Sequence, residues 1–166
     1  VAGWVAQNRP EVDQAVPIAP GFGFQAIPAP FTVFMTNFTL LRPDQFAWWN
    51  PADHMAGVAR GMDYAYPRFS YHALAQLLRL GQAIRAQAGR SAPAAADILL
   101  ITNANDEKVD NAAAAQVAAA WRAQGAAVRT YEFPAELGLP HDVIDPHQPD
   151  QQVDLVYPHL IALLSQ

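Results

Sequence analysis

The chain has 166 residues, 52% hydrophobic and 15% charged, which is enough apolar material to bury the core of one compact unit. Its net charge of −5 and ten scattered Lys and Arg leave no basic stripe to follow a phosphate backbone, which argues against nucleic acid as a partner. Cysteine is absent, excluding disulfides, thiolate metal sites and a cysteine nucleophile.

The opening VAGWVAQN spaces Val1 and Val5, and Ala2 and Ala6, four apart, which predicts a helix that stops before Pro10. No capping residue precedes it, so the sequence reads as starting within a helix. A short buried strand follows over 15–19, closed by Pro20 and Gly21. GFGF, at 21–24, has two glycines of a dinucleotide loop but neither the third nor the acidic residue that should follow, so it reads as a turn.

From Phe22 to Pro93 the composition shifts to prolines and aromatics. Phe31, Phe34, Met35, Phe38 and Leu41 fall at helical spacing, although the Thr and Val around them favour a strand. This apolar stretch is too short to span a bilayer, so no membrane partner is expected. Asn50 can cap a helix with Pro51 in its first turn and Gly61 past its end. Ser70 can cap a longer one, with Leu74, Leu77, Leu78, Ile84 and Ala88 on the 3.6 period and Gly89 at its end.

From Asp97 the pattern is cleaner. DILLIT is a continuous apolar run, the mark of a strand buried on both faces. The alanine-rich segment NAAAAQVAAAWRAQG predicts a helix ended by Gly125, and AAVRTYEF predicts a second strand. In the last segment Val153, Val156, Tyr157, Leu160, Ile161 and Leu164 form one helical stripe, interrupted by Pro158, which should kink it. Strand, loop, helix, strand, loop, helix is the order of an α/β fold with a parallel sheet and right-handed crossovers.

Two polar loops then share one end of the sheet, the carboxyl end where open α/β sheets bind ligands. One carries Asp106 and the other His141. A carboxylate accepting the Nδ1 proton of histidine fixes its tautomer and leaves Nε2 free to take a proton from a nucleophile. Asp97, which precedes its strand, belongs to the opposite end, and Asp110 can cap the next helix. Asp142, Asp145 and His147 could join His141 as metal ligands, but no ligand spacing supports it. Asp145 before Pro146 starts a turn more readily. No metal or cofactor is expected.

These segments resemble the α/β-hydrolase superfamily. ILLITNANDEKVDN is similar to the family's penultimate strand and acid loop, which puts the acid on Asp106 with Val109 three residues later. YEFPAELGLPHD is similar to its last strand and histidine loop, which puts the catalytic histidine on His141. Residues 22–93 resemble its helical cap, and VAGWVAQNRPEVDQAV resembles the helix after the nucleophile elbow and the next strand. The resemblance divides the chain into core (1–21), cap (22–93) and core (94–166). It implies an esterase-like hydrolase of small acyl compounds, with Phe22, Trp48 and Trp49 as candidate substrate-binding residues. Paired tryptophans also serve as cap core, and that alternative stays open.

The departure is the missing G-x-S-x-G elbow, since the serines are Ser70, Ser91 and Ser165 only. The expectation is therefore a C-terminal portion whose nucleophile, Ser or Asp, lies upstream, and which is inactive alone. The alternative is a non-catalytic hydrolase-like binding or assembly module. An open first strand and an apolar N-terminal helix also predict a homo-oligomer.

Overall fold

The computed structural model describes residues 1–49, 55, 66–148 and 150–165. In chain order the elements are α1 (Ala2–Asn8), β1 (Gln14–Ala15), α2 (Thr32–Leu41), β2 (Phe46–Trp48), β3 (Arg68–Ser70), α3 (Tyr71–Ala88), β4 (Asp97–Asn103), α4 (Asn111–Ala123), β5 (Val128–Phe133) and α5 (Val153–Leu164). The helix expected between Asn50 and Gly61, like His54, falls outside the described residues apart from Met55.

The apolar run of β4 places it at the centre of a three-stranded parallel sheet, ordered β1-β4-β5. Successive side chains leave a strand on opposite faces. Ile98 and Leu100 accordingly join one core cluster with Ala6, Ile84, Val117 and Trp121, whereas Leu99 and Ile101 join another with Phe133, Leu139, Val143 and Val156. Helices α1, α3 and α4 thus cover one face, and α5 with the loop after β5 covers the other. The parallel α/β reading holds.

The edge strand β1 is shorter than expected. Only Gln14 and Ala15 form a ladder, and Ile18 adds an isolated parallel bridge to Ile101. Pro17 has no N–H to donate, although its carbonyl accepts from Ile101 at 2.9 Å.

The caps follow the sequence. Ser70 Oγ accepts from the Ala73 N–H at 3.0 Å, and Asp110 Oδ1 accepts from Ala112 at 2.9 Å and Ala113 at 3.2 Å. Pro158 sits inside α5.

Two features of residues 22–93 differ from expectation. An antiparallel ribbon, β2 with β3, interrupts a region read as helical. Arg68 holds it together, its guanidinium lying 5.4 Å from the Phe46 ring centre and 5.6 Å from that of Trp48. Helix α2 forms where its apolar spacing placed it, yet its packed side is Thr32 and Thr36, which are buried. Phe31, Phe34, Phe38 and Leu41 remain exposed. The later part of α3 leaves this region for the core, where Ile84 and Ala88 are buried with Trp121.

With β1 on a sheet edge and Val1 and Trp4 exposed at 84% and 38%, the chain is predicted to self-associate there. Light scattering at tens of micromolar should give more than 18.1 kDa, and Trp4→Glu should weaken the association. A monomer at all concentrations would contradict it.

Candidate active site

β4 ends in Asn103, a buried polar residue after five apolar or hydroxyl-bearing ones, and it organises the carboxyl end of the sheet. Its Nδ2 donates to the carbonyls of Leu139 and Pro140, both at 2.9 Å. Its Oδ1 accepts from the Asn105 N–H at 3.1 Å, and its own carbonyl accepts from Asn111 Nδ2 at 2.7 Å. One side chain therefore joins the loop after β4 to the loop after β5. Asn105 adds a second tie, donating from Nδ2 to the Ala135 carbonyl at 2.7 Å.

The loop after β5 leaves the sheet through a short 3-10 turn and reverses at Gly138, whose φ of 57° lies in the left-handed region that favours glycine. Leu139 and Val143, both buried, pin the loop on either side of His141. The imidazole is thereby directed at the neighbouring loop. His141 Nδ1 lies 2.7 Å from Oδ2 of Asp106. The other carboxylate oxygen accepts from the N–H groups of Lys108 at 2.8 Å and Val109 at 3.0 Å. Asp106 is 2% exposed, whereas about 30% of the His141 side chain is open, so the acid is enclosed and the imidazole is reachable.

Each group shifts the other. Burial pushes the Asp106 carboxyl up, but the hydrogen bonds from His141, Val109 and Lys108 together hold it below its ordinary value. The hydrogen bond to Asp106 raises His141, burial opposes it, and the negative charges of Asp106 and Asp142 add to the rise. Asp142 Oδ1 is 3.9 Å from His141 Nε2, too far for a hydrogen bond.

The competing acids go elsewhere. Asp97 pairs with Arg129 at 2.8 Å and with Gln14 at the opposite end of β4, and Asp110 caps α4. Asp145 accepts from the His147 N–H at 2.9 Å, closing a turn. Among the described residues no three His, Asp or Glu side chains are grouped to hold a metal ion. Phe22 is buried edge-on to Trp121, with ring centres 6.2 Å apart. Trp48 lies under Arg68 on the β2–β3 ribbon, and the exposed Trp49 packs on Phe69 at 4.2 Å. These ring contacts are made to the core and the ribbon, not to the Asp106–His141 pair.

No protein-family model and no curated protein matches the sequence. Solved structures do. The chain superposes on a soluble variant of monoglyceride lipase from Saccharomyces cerevisiae, in complex with a substrate analog, with a TM-score of 0.64 and 11% identity over 99% of its length. It also superposes on monoacylglycerol lipase from Paleococcus ferrophilus, with a TM-score of 0.62 and 12% identity over 98%. The fold is that of the α/β-hydrolases. The chain spans 60% and 63% of those two proteins, respectively.

Within this hydrolase fold all three serines have other partners. Ser70 Oγ donates to Asp44 at 2.6 Å, Ser91 Oγ accepts from Gln7 at 3.4 Å, and Ser165 Oγ donates to Ile161 at 2.8 Å. The sequence reading missed Asn103 and Asn105 as ties between the loops after β4 and β5, and Asn111 as a brace within the first of them. The signal was a run of asparagines directly after a buried strand, where each carries spare donors and acceptors.

The shifts set a pH window. A raised His141 contributes stability fully present below its unfolded value near 6.5, and this is lost as pH rises through the folded value. A lowered Asp106 contributes stability present above 3.8, and this is lost as pH falls through its folded value. An NMR titration should place the His141 midpoint above 6.5, and Asp106→Asn should bring it down while costing about 1–3 kcal/mol of stability. An unmoved midpoint in Asp106→Asn would show that the carboxylate does not govern the imidazole.

Proposed function

We propose that this chain supplies the acid and base of an ester-hydrolysing site, with Asp106 orienting His141 and the nucleophile provided from outside these residues. The observation that carries the reading is the 2.7 Å contact between Nδ1 and a buried carboxylate whose other oxygen is already saturated. Nδ1 is then committed to Asp106, which leaves Nε2 as the proton-transferring atom. The similar structures are described as monoglyceride lipases, whose named substrates are esters, and the α/β-hydrolase fold supports the same chemistry here.

In the complete site a nucleophilic hydroxyl would transfer its proton to Nε2 as its oxygen bonds the ester carbonyl carbon, and the carbonyl π electrons would move onto oxygen. Collapse of that oxyanion breaks the bond to the leaving alkoxide, which takes the proton from Nε2. Water, activated by the same imidazole, then releases the acid. Asp106 stabilises the imidazolium at each stage without accepting its proton.

The test compares the chain alone with the chain joined to its upstream coding region. The chain alone should hydrolyse p-nitrophenyl acetate no faster than free imidazole, because its three serines are bonded to Asp44, Gln7 and Ile161 rather than to His141. The longer protein should show saturable hydrolysis, reduced by about four to six orders of magnitude in His141→Ala and by about 10^4 in Asp106→Asn. Saturable activity in the longer protein that survives His141→Ala would contradict the reading.

A further inference from the structure

The buried carboxylate of Asp106 is tied to its own loop by the N–H groups of Lys108 and Val109, and Asn105 ties that loop to the one after β5. A strip at 23–25, where the chain leaves the first strand for α2, lies directly against the Asp106 loop. The Gly23 carbonyl accepts from the Asp110 N–H at 3.0 Å, and the Gln25 N–H donates to the Lys108 carbonyl at 3.0 Å. Phe24 and Val109 form an antiparallel bridge between these contacts. A Cβ on Gly23 would stand 3.2 Å from that of Ala113 and 3.3 Å from that of Asp110, so the approach is about as close as glycine permits. The strip also reaches Asp106 itself. Nε2 of Gln25 donates to the Asp106 main-chain carbonyl.

We propose that Gln25 is a positioning residue for the Asp106–His141 pair, holding the Asp106 peptide so that its carboxylate meets Nδ1, and coupling the segment that leads into α2 to the site. The inference rests on the acid–base reading of that pair. The Asp106 carbonyl and carboxylate share one Cα, so a peptide free to rotate would carry Oδ2 away from the imidazole. A 2.7 Å hydrogen bond tolerates little such rotation. Residues 26–31 run from the strip straight into α2, and a shift of that helix would therefore pull on the acid loop. Gln25 is itself exposed, which allows it to be changed without opening the core.

The test is an NMR titration of His141 in this chain, carried through Gln25→Ala, Gln25→Met and Asp106→Asn, with urea unfolding of each. The charged groups acting on His141 are Asp106, Asp142 and Lys108, and neither Gln25 variant alters a charge. Any change in midpoint then reports geometry. Both Gln25 variants should lower the midpoint by about 0.3 to 1 unit while the fold is retained, and Asp106→Asn should lower it further. A parental midpoint in both, with Asp106→Asn still lowering it, would overturn the role of Gln25 and leave the pair intact. So would a loss of stability without a change in midpoint, or a fall in Gln25→Ala that Gln25→Met does not share, since that would trace the effect to packing rather than to the amide donor. A midpoint unmoved in Asp106→Asn would instead remove the pair on which the inference rests.

Discussion

The central strand has no side that water reaches. Ile98, Leu99, Leu100 and Ile101 are each no more than 2% exposed, and burying such side chains contributes about 1.5–3 kcal/mol apiece. A strand of this kind needs an apolar layer on both faces, which α1, α3 and α4 provide on one and α5 on the other. Polar chemistry is thereby confined to the ends of the strand. Asp97 and Arg129 occupy one end, and Asn103, Asp106 and His141 occupy the other. The position of the candidate site follows from the burial of β4 more than from any property of the loops taken alone.

An enclosed carboxylate would be costly without partners, since removing an ionised group from water is compensated only by charge and hydrogen bonds. Asp106 meets that requirement with two backbone donors on one oxygen and an imidazole nitrogen on the other. The same saturation gives it a direction. With Oδ1 committed to Lys108 and Val109, Oδ2 points at His141, whose loop is anchored in the core by Leu139 and Val143. Asn103 keeps the two loops at a fixed separation by spending both its Nδ2 donors on the second loop. The site is a small polar network resting on an apolar strand, and its members depend on one another.

Much of this was legible in the sequence because the decisive signals are local. DILLIT announces a doubly buried strand, Asp110 and Gly125 bracket α4, and Ser70 marks the start of α3. The pairing of Asp106 with His141 came from the rule that parallel strands bring their carboxyl ends together, reinforced by the family resemblance. What escaped depends on contacts between distant residues. The β2–β3 ribbon has strands of three residues each, too short for alternation to register, and it is held by Arg68 over aromatic rings. Helix α2 was found by its apolar spacing, but spacing cannot say which side packs, and here the small Thr32 and Thr36 make the close approach. Phe22 was named as a substrate-binding candidate through the family resemblance alone, and its edge-on packing against Trp121, 99 residues away, carries no local mark. Gln25 carries no local mark at all, because its partner lies 81 residues away.

The claim on which everything functional depends is that Asp106 fixes the imidazole of His141 with Nε2 bare. Long-range 1H–15N NMR of the neutral ring, recorded above its midpoint, reads this directly. The proton is predicted on Nδ1, facing the carboxylate, with Nε2 unprotonated and able to act as a base. A neutral ring carrying its proton on Nε2, with Nδ1 bare beside Asp106, would contradict the assignment.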